Sequence, residues 1–112
     1  MRYAKAEDRM YTVSTPTQQE IDAIVATAKA ELQPWVQKIF WDYAQDWSGD
    51  WALFFRILVS DAVVRSRNSY KTTEQIRRNL IEKVKPQDRG LLAYFSFRGQ
   101  SEQRMLQEDV WK

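Results

Sequence analysis

The chain has 112 residues, of which 44% are hydrophobic and 29% are charged, a balance typical of one soluble globular domain. It contains no cysteine and no histidine, which excludes disulfides, thiolate nucleophiles and the usual ligands of structural zinc. Without histidine, the side chain most often used for proton transfer at neutral pH is also missing. A catalytic site would then need carboxylates, lysine, tyrosine or serine, with or without a hard cation held by oxygens. Whether the chain is an enzyme stays open; we expect rather that it is not one and that it has no catalytic residue, cofactor or metal ion.

The longest uninterrupted apolar run, residues 51–55, is far shorter than the ~20 residues that a membrane span needs. Residues 1–9 carry charges where a secretory signal would place its apolar region. These features predict a cytoplasmic protein that does not cross a membrane. We expect a single domain over residues 1–112, with residues 1–9 forming an arm that can be mobile, because they show no clear period.

The predicted elements begin with Met10–Val13, which can form a short edge strand. Thr15 and Gln18 then form a capping box, which predicts the start of a helix at this point. Apolar residues follow at spacings of three and four as far as Trp47, which is typical of one helix face. Proline disturbs helical hydrogen bonding, so we expect a long first helix kinked at Pro34, or two helices that meet there.

Two later segments alternate between two faces, as β-strands do. In residues 51–61 one face is entirely apolar: Trp51, Leu53, Phe55, Ile57 and Val59. Residues 91–98 have a matching apolar face: Leu91, Ala93, Phe95 and Phe97. The opposite faces carry Arg56 and Arg98. The pattern predicts a small sheet with helices packed on its apolar side.

A helix that begins at Thr72 and ends before Pro86 separates the two strands, and Ser101 can cap a short last helix. The predicted order is (β)-α-β-α-β-α, an α/β fold with a two- or three-stranded sheet covered by helices; an α+β arrangement stays open. A strand, a helix and a strand in succession also predict a parallel, right-handed crossover.

Arg56 and Arg98 fall on corresponding faces of their strands, together with Tyr94 and Ser96. A guanidinium presents a planar fork that suits phosphate or carboxylate, so this face is a candidate anion-binding surface. If the strands are neighbours, both arginines can reach one common anion. The alternative is that each arginine pairs with a nearby acid, for which the candidates are Asp50, Asp61 and Glu102.

Residues 65–89 hold eight basic and three acidic residues, whereas the remainder of the chain is net acidic. Such a segment is a candidate footprint for a nucleic acid. The side chains that could follow a phosphate backbone are Arg65, Arg67, Lys71, Arg77, Arg78, Lys83 and Lys85. No helix-turn-helix spacing or RNP-like motif accompanies them, so a solvated helix face is the alternative.

Trp41 and Phe54 fall outside the main apolar faces, and exposed aromatic side chains often anchor protein interfaces. A sheet of two or three strands cannot close on itself, so its edges need cover from a helix, charges or a partner. We expect a homo-oligomer or a protein partner, joined through a sheet edge or an aromatic patch near Trp41 and Phe54. A second small core is the alternative for these aromatic residues.

The residues Ser48-Gly49-Asp50, followed by Asp61, resemble the turn and carboxylate pair with which minimal nucleotidyltransferases hold metal and nucleotide. That family uses Gly-Ser followed by Asp-x-Asp, whereas the order here is Ser-Gly and the second carboxylate is missing. The resemblance implies a degenerate, inactive relative at most. A turn and a strand end account for the same residues.

The sequence therefore favours a small cytosolic interaction or accessory module that acts through self-association or a protein partner. Nucleic-acid binding by residues 65–89 and a degenerate nucleotidyltransferase-like domain are the two alternatives.

Overall fold

The computed structural model describes residues 15–111, which form a three-stranded sheet with helices packed mainly against one face. In chain order the elements are α1 (Gln18–Glu31), β1 (Val36–Gln45), β2 (Trp51–Val59), α2 (Asp61–Arg65), α3 (Ser69–Val84), β3 (Leu92–Gly99) and α4 (Gln100–Leu106). Short 3-10 helices at Pro86–Arg89 and Asp109–Trp111 precede β3 and follow α4. The predicted α/β class, with a small sheet covered by helices, is confirmed. The predicted strand at Met10–Val13 and the arm at residues 1–9 lie outside the described residues.

The central strand is β2, which pairs with β1 on one side and with β3 on the other. The pairing with β1 is antiparallel and the pairing with β3 is parallel. The chain reaches β3 from β2 through α2 and α3, so the predicted parallel crossover is confirmed. Within residues 15–111, no helix has the length and apolar character needed to cross a membrane.

The apolar side of β2 faces the helices, as predicted. Leu53, Phe55, Ile57 and Val59 are buried there. They form one core with residues from both long helices, namely Ile21 and Ala28 of α1 and Ile76, Leu80 and Val84 of α3. The Phe55 ring also stacks on Phe95 of β3, with the ring centroids 5.2 Å apart. Trp51, at the start of β2, is 42% exposed, so this face of the sheet extends beyond the helices.

The first helix is shorter than predicted at both ends. Thr17, not Thr15, is its cap, because the Thr17 hydroxyl accepts a hydrogen bond from the Glu20 N–H at 3.1 Å. The helix ends at Glu31, ahead of Pro34. A proline has no N–H to donate and its ring clashes with the carbonyl four residues earlier, so the helix does not continue past this point.

The prediction of a helix running on to Trp47 is wrong, because residues 36–45 form β1. This segment is rich in β-branched and aromatic residues, which favour strands. Ile39, Trp41 and Tyr43 lie on the helix side of the sheet and are partly buried against the core. The observed order is therefore α-β-β-α-α-β-α.

The short helices α2 and α4 meet at one end of the sheet. α4 begins at Gln100, so Ser101 lies in its first turn and is not its cap. The Ser101 N–H donates to the Asp61 carboxylate at 2.9 Å, and the Ser101 hydroxyl donates to the other oxygen of the same group. These bonds from Ser101 hold the pKa of Asp61 below its usual value. The ionised carboxylate of Asp61, the first residue of α2, therefore joins α2 to the first turn of α4.

Replacing Phe55 by alanine should lower the free energy of unfolding by about 3–5 kcal/mol, because the side chain is fully buried and would leave a cavity. Urea denaturation followed by far-UV circular dichroism measures this change. The control is Phe54→Ala, whose ring lies on the opposite face and is half-buried, so its loss should be smaller. A loss below ~1 kcal/mol for Phe55→Ala would contradict the assigned face.

Replacing Gly99 by alanine should also destabilise the chain, by about 1–3 kcal/mol. A β-carbon at Gly99 would lie 2.8 Å from Val64 Cγ2, a stiff side chain that cannot easily move aside. The backbone angle is not the cause, since φ of Gly99 is −76°. In a Val64→Ala background the same change should cost much less; an equal cost in both backgrounds would rule out the clash.

Candidate functional site

The face of the sheet opposite α1 and α3, here called the open face, carries four rows of side chains that run across the three strands. The row next to the β1–β2 turn is Ala44, Ala52 and Leu92, and the second is Asp42, Phe54 and Tyr94. The third is Phe40, Arg56 and Ser96, and the fourth is Lys38, Leu58 and Arg98. The rows follow from the strand register, because alternate side chains of each strand point to the same face.

The turn end of the open face carries an aromatic cluster of Trp47, Phe54 and Tyr94. The Tyr94 ring stacks on Phe54, with the centroids 5.2 Å apart and the planes at 22°. Its other neighbour is Trp47, at 5.3 Å between centroids. Trp47 is 84% exposed. The Trp47 ring is therefore exposed to solvent while it packs against Tyr94, which in turn stacks on Phe54.

The position of Trp47 is fixed by the turn that contains it. Asp46 accepts hydrogen bonds from the Ser48 N–H at 2.9 Å, the Ser48 hydroxyl at 2.7 Å and the Asp50 N–H at 3.0 Å. The Tyr94 hydroxyl donates to its other oxygen at 2.8 Å. Gly49 has φ of +91°, a conformation that strains other residues. The turn is therefore bonded internally and is also joined to β3.

These hydrogen bonds keep Asp46 ionised. The Ser48 and Tyr94 hydroxyls lower the pKa of Asp46 from 3.8 to about 2. The same interaction raises the pKa of Tyr94, because the Asp46 carboxylate favours the protonated phenol. At neutral pH the turn end of the open face consequently carries a fixed negative charge beside the exposed Trp47 ring.

The two arginines of the open face lie in adjacent rows and pair with different acids. Arg56 forms an ion pair with Asp42 of β1 at 2.7 Å. Arg98 pairs with Glu108 at 2.6 Å and donates to the Gln103 side chain at 3.0 Å. The partners in these ion pairs are not the predicted Asp50, Asp61 or Glu102. That both arginines reach one common anion stays a prediction. Binding of an external anion by Arg56, Arg98, Tyr94 and Ser96 stays a prediction.

The C-terminal segment, residues 100–111, covers the other end of the open face. Trp111 is buried there, and its ring meets Phe40 edge-on with the centroids 6.5 Å apart. The Arg98 guanidinium lies 4.7 Å from the centroid of the Trp111 ring. A guanidinium over an indole face is a favourable cation–π contact. The open face is therefore covered at one end and accessible at the turn end.

The two predicted interface residues, Trp41 and Phe54, do not form one patch. Trp41 is paired with Phe55 and lies on the helix side, where its indole N–H donates to Asp22 of α1 at 2.8 Å. Phe54 lies on the open face. The prediction of a shared patch is wrong. It assumed that residues 36–45 are helical, whereas in the strand β1 successive side chains alternate between the two faces, which puts Trp41 on the face opposite Phe54.

The predicted nucleic-acid residues differ in their surroundings. Arg77 and Arg78 of α3 both pair with Glu74, and Lys83 pairs with Glu31 of α1. These contacts lower the pKa of Glu74, chiefly through Arg77, and of Glu31, chiefly through Lys83. The other four predicted residues are exposed: Arg65, Arg67, Lys71 and Lys85. All seven lie on the helical layer or its ends, away from the open face.

The carboxylate pair that resembles a nucleotidyltransferase site is not brought together. Asp50 and Asp61 flank opposite ends of β2, a strand of nine residues. At ~3.3 Å per residue this separates them by roughly 30 Å, far beyond the reach of one metal ion. In the part of the chain that the structure describes, no group of three or more acidic residues could hold a metal.

Comparison with known proteins adds no relative: no family model, no curated protein and no solved structure matches this chain.

Replacing Tyr94 by phenylalanine should raise the pKa of Asp46 from about 2 towards 3.8, because one donor to its carboxylate is removed. Ionised Asp46 stabilises the fold above pH 3.8, and this contribution is lost as the pH falls towards about 2. In Tyr94→Phe the loss should begin at the same pH, because the pKa of Asp46 in the unfolded chain is unchanged, but it should be smaller and should be complete at a higher pH. Carbon-13 NMR titration of the carboxyl groups measures the shift. The control is Tyr70→Phe on α3, and an unchanged Asp46 titration in Tyr94→Phe would contradict the assigned bond.

Proposed function

We propose that this chain is a protein-interaction module that works as a homodimer, joined through the outer edge of β3. The observation that carries the proposal is the composition of that edge. β3 lies at the side of the sheet, and its residues from Leu92 to Phe97 include no charge and no proline. Natural edge strands are usually protected by lysine, proline or a bulge, since their free N–H and C=O groups invite pairing.

The opposite edge of the sheet has the protection that β3 lacks. β1 carries Lys38 and Asp42 on its open-face side, and its register shifts between Val36 and Lys38. It is also tied to α1 by the hydrogen bond from Trp41 to Asp22. Charges and an irregular register both disfavour pairing with another strand. The contrast supports β3 as the edge that pairs.

The side chains beside this edge also favour contact with another chain. Phe95 and Phe97 lie on the helix side of β3 and are only half-buried, as is Tyr94 on the open face. Burial of apolar surface contributes about 25 cal/mol per Å². A strand placed against β3 would cover part of these rings while it pairs the backbone.

A second copy of β3 fits this edge in charge and in symmetry. If two copies pair antiparallel about Phe95, then Arg98 of each lies opposite Leu92 of the other, and the two arginines are kept apart. Most homo-oligomers use such a two-fold interface, in which both copies present the same surface. The product would be a continuous six-stranded sheet in which β1 forms both outer edges.

Nucleic-acid binding is a second candidate, favoured by three exposed basic residues around the connection between α2 and α3: Arg65, Arg67 and Lys71. Its weakness is that three of the seven predicted basic residues are already paired with Glu31 or Glu74. Affinity for generic RNA or DNA that falls steeply with salt would favour this candidate.

Replacing Ser96 by lysine should dissociate the dimer, because the two copies then place two lysines close together in the middle of the β3–β3 interface. Ser96 is exposed, so the fold should be unaffected. Like charges at an interface cost several kcal/mol, so we expect the dimer dissociation constant to rise by at least about tenfold. Sedimentation equilibrium over a range of concentrations measures the change.

The matched control is Ala44→Lys, which places a lysine on the same face of β1, at the other edge of the sheet. It should leave the dimer intact. A wild-type chain that stays monomeric at about 100 μM would overturn the proposal. A dimer that resists Ser96→Lys but dissociates with Ala44→Lys would assign the interface to β1.

A further inference from the structure

We propose that the turn end of the open face binds a segment of a partner protein in which a lysine or arginine is flanked by apolar side chains. This site lies on the surface of the sheet, around Trp47, whereas the homodimer uses the backbone edge of β3. The inference goes beyond the proposed function and does not depend on it.

The first support is an aromatic surface that is exposed but fixed in place. Trp47 is 84% exposed, and Leu92 in the first row is 44% exposed. Trp47 nevertheless contacts Tyr94, which Phe54 and Asp46 hold in position. A binding surface that is already ordered loses little conformational entropy when a partner arrives. Apolar side chains of a partner can therefore pack against Trp47 and Leu92 at low cost.

The second support is the charge around these rings. Among residues 15–111, the turn end of the open face and its turn carry three carboxylates, Asp42, Asp46 and Asp50, and one guanidinium, Arg56, which is paired with Asp42. Neither Asp46 nor Asp50 forms an ion pair with a cation of residues 15–111. The surface is thus net negative beside an exposed indole, and the complementary group on a partner is a cation.

The third support is that the other end of the same face already contains this arrangement in complete form. There Arg98 lies over the Trp111 ring at 4.7 Å and pairs with Glu108 at 2.6 Å. An indole, a carboxylate and a cation between them therefore coexist on this sheet. At the turn end the indole of Trp47 and the carboxylates of Asp46 and Asp50 are in place, and the partner would supply the cation.

The test uses the full chain and two synthetic peptides of about nine residues, a length that spans a sheet of this width. One has lysines flanked by leucine and valine, and the other has glutamate in place of each lysine. Isothermal titration calorimetry and amide NMR shifts measure binding. We expect the lysine peptide to bind with perturbations centred on residues 46–50 and on Tyr94, and the glutamate peptide not to bind up to about 1 mM.

Two substitutions and a control locate the site. Trp47→Ala should weaken binding of the lysine peptide by about tenfold, the scale of a partly desolvated cation–π contact. Asp50→Asn should weaken it by about threefold, with most of that difference lost at high salt. Trp51→Ala removes an exposed tryptophan at the same end of the sheet that stacks on Tyr43 of the helix side, and it should leave affinity unchanged.

Several results would overturn the inference. They are no binding of the lysine peptide at about 1 mM, equal binding of both peptides, or equal affinity of wild type and Trp47→Ala. A Trp47→Ala chain that loses dimerisation would instead assign the face to a second copy, and Trp47-dependent binding of a single-stranded oligonucleotide would assign it to nucleic acid. A Ser96→Glu variant separates this inference from the homodimer. Two glutamates at the interface should also dissociate the dimer, whereas a negative charge on the open face does not repel the lysine peptide, so the monomer should still bind it.

Discussion

The apolar row of β2, which consists of Leu53, Phe55, Ile57 and Val59, must be removed from water on one side of the three-stranded sheet that residues 15–111 form. Each such side chain contributes about 1.5–3 kcal/mol when it is fully buried, so this row outweighs any surface contact in the molecule. The two long helices, α1 and α3, both pack on that side. Because both long helices pack on that side, the other face is covered, among residues 15–111, by the short C-terminal segment.

That division explains why the open face has two ends of different character. At one end Trp111, Arg98 and Glu108 form a closed set of apolar, cation–π and ionic contacts. At the turn end no helix among the described residues lies over Tyr94, and the Tyr94 ring is held by Phe54, Trp47 and the Asp46 carboxylate. The first end contributes to stability through burial. The second end keeps exposed groups in a fixed arrangement, which is what a binding surface requires.

The strands β2 and β3 could be predicted because each alternates without interruption and is bounded by a glycine or an aspartate. β1 could not be predicted from spacing alone, since two periods fit it. Val36, Ile39, Phe40 and Tyr43 satisfy the helical spacing, while Ile39, Trp41 and Tyr43 satisfy the strand alternation. The signals that favour the strand are Pro34 and the concentration of β-branched and aromatic residues after it.

The candidate site depended on that one element. Alternation predicts correctly that Arg56 and Arg98 share a face, but it does not supply the acids that meet them. The helical spacing puts Asp42 on a helix, whereas β1 sets it directly beside Arg56. Asp46 lies 48 residues before Tyr94, so sequence spacing does not indicate that the two side chains meet. With both carboxylates there, the turn end of the open face is net negative among the described residues, which suits a cation.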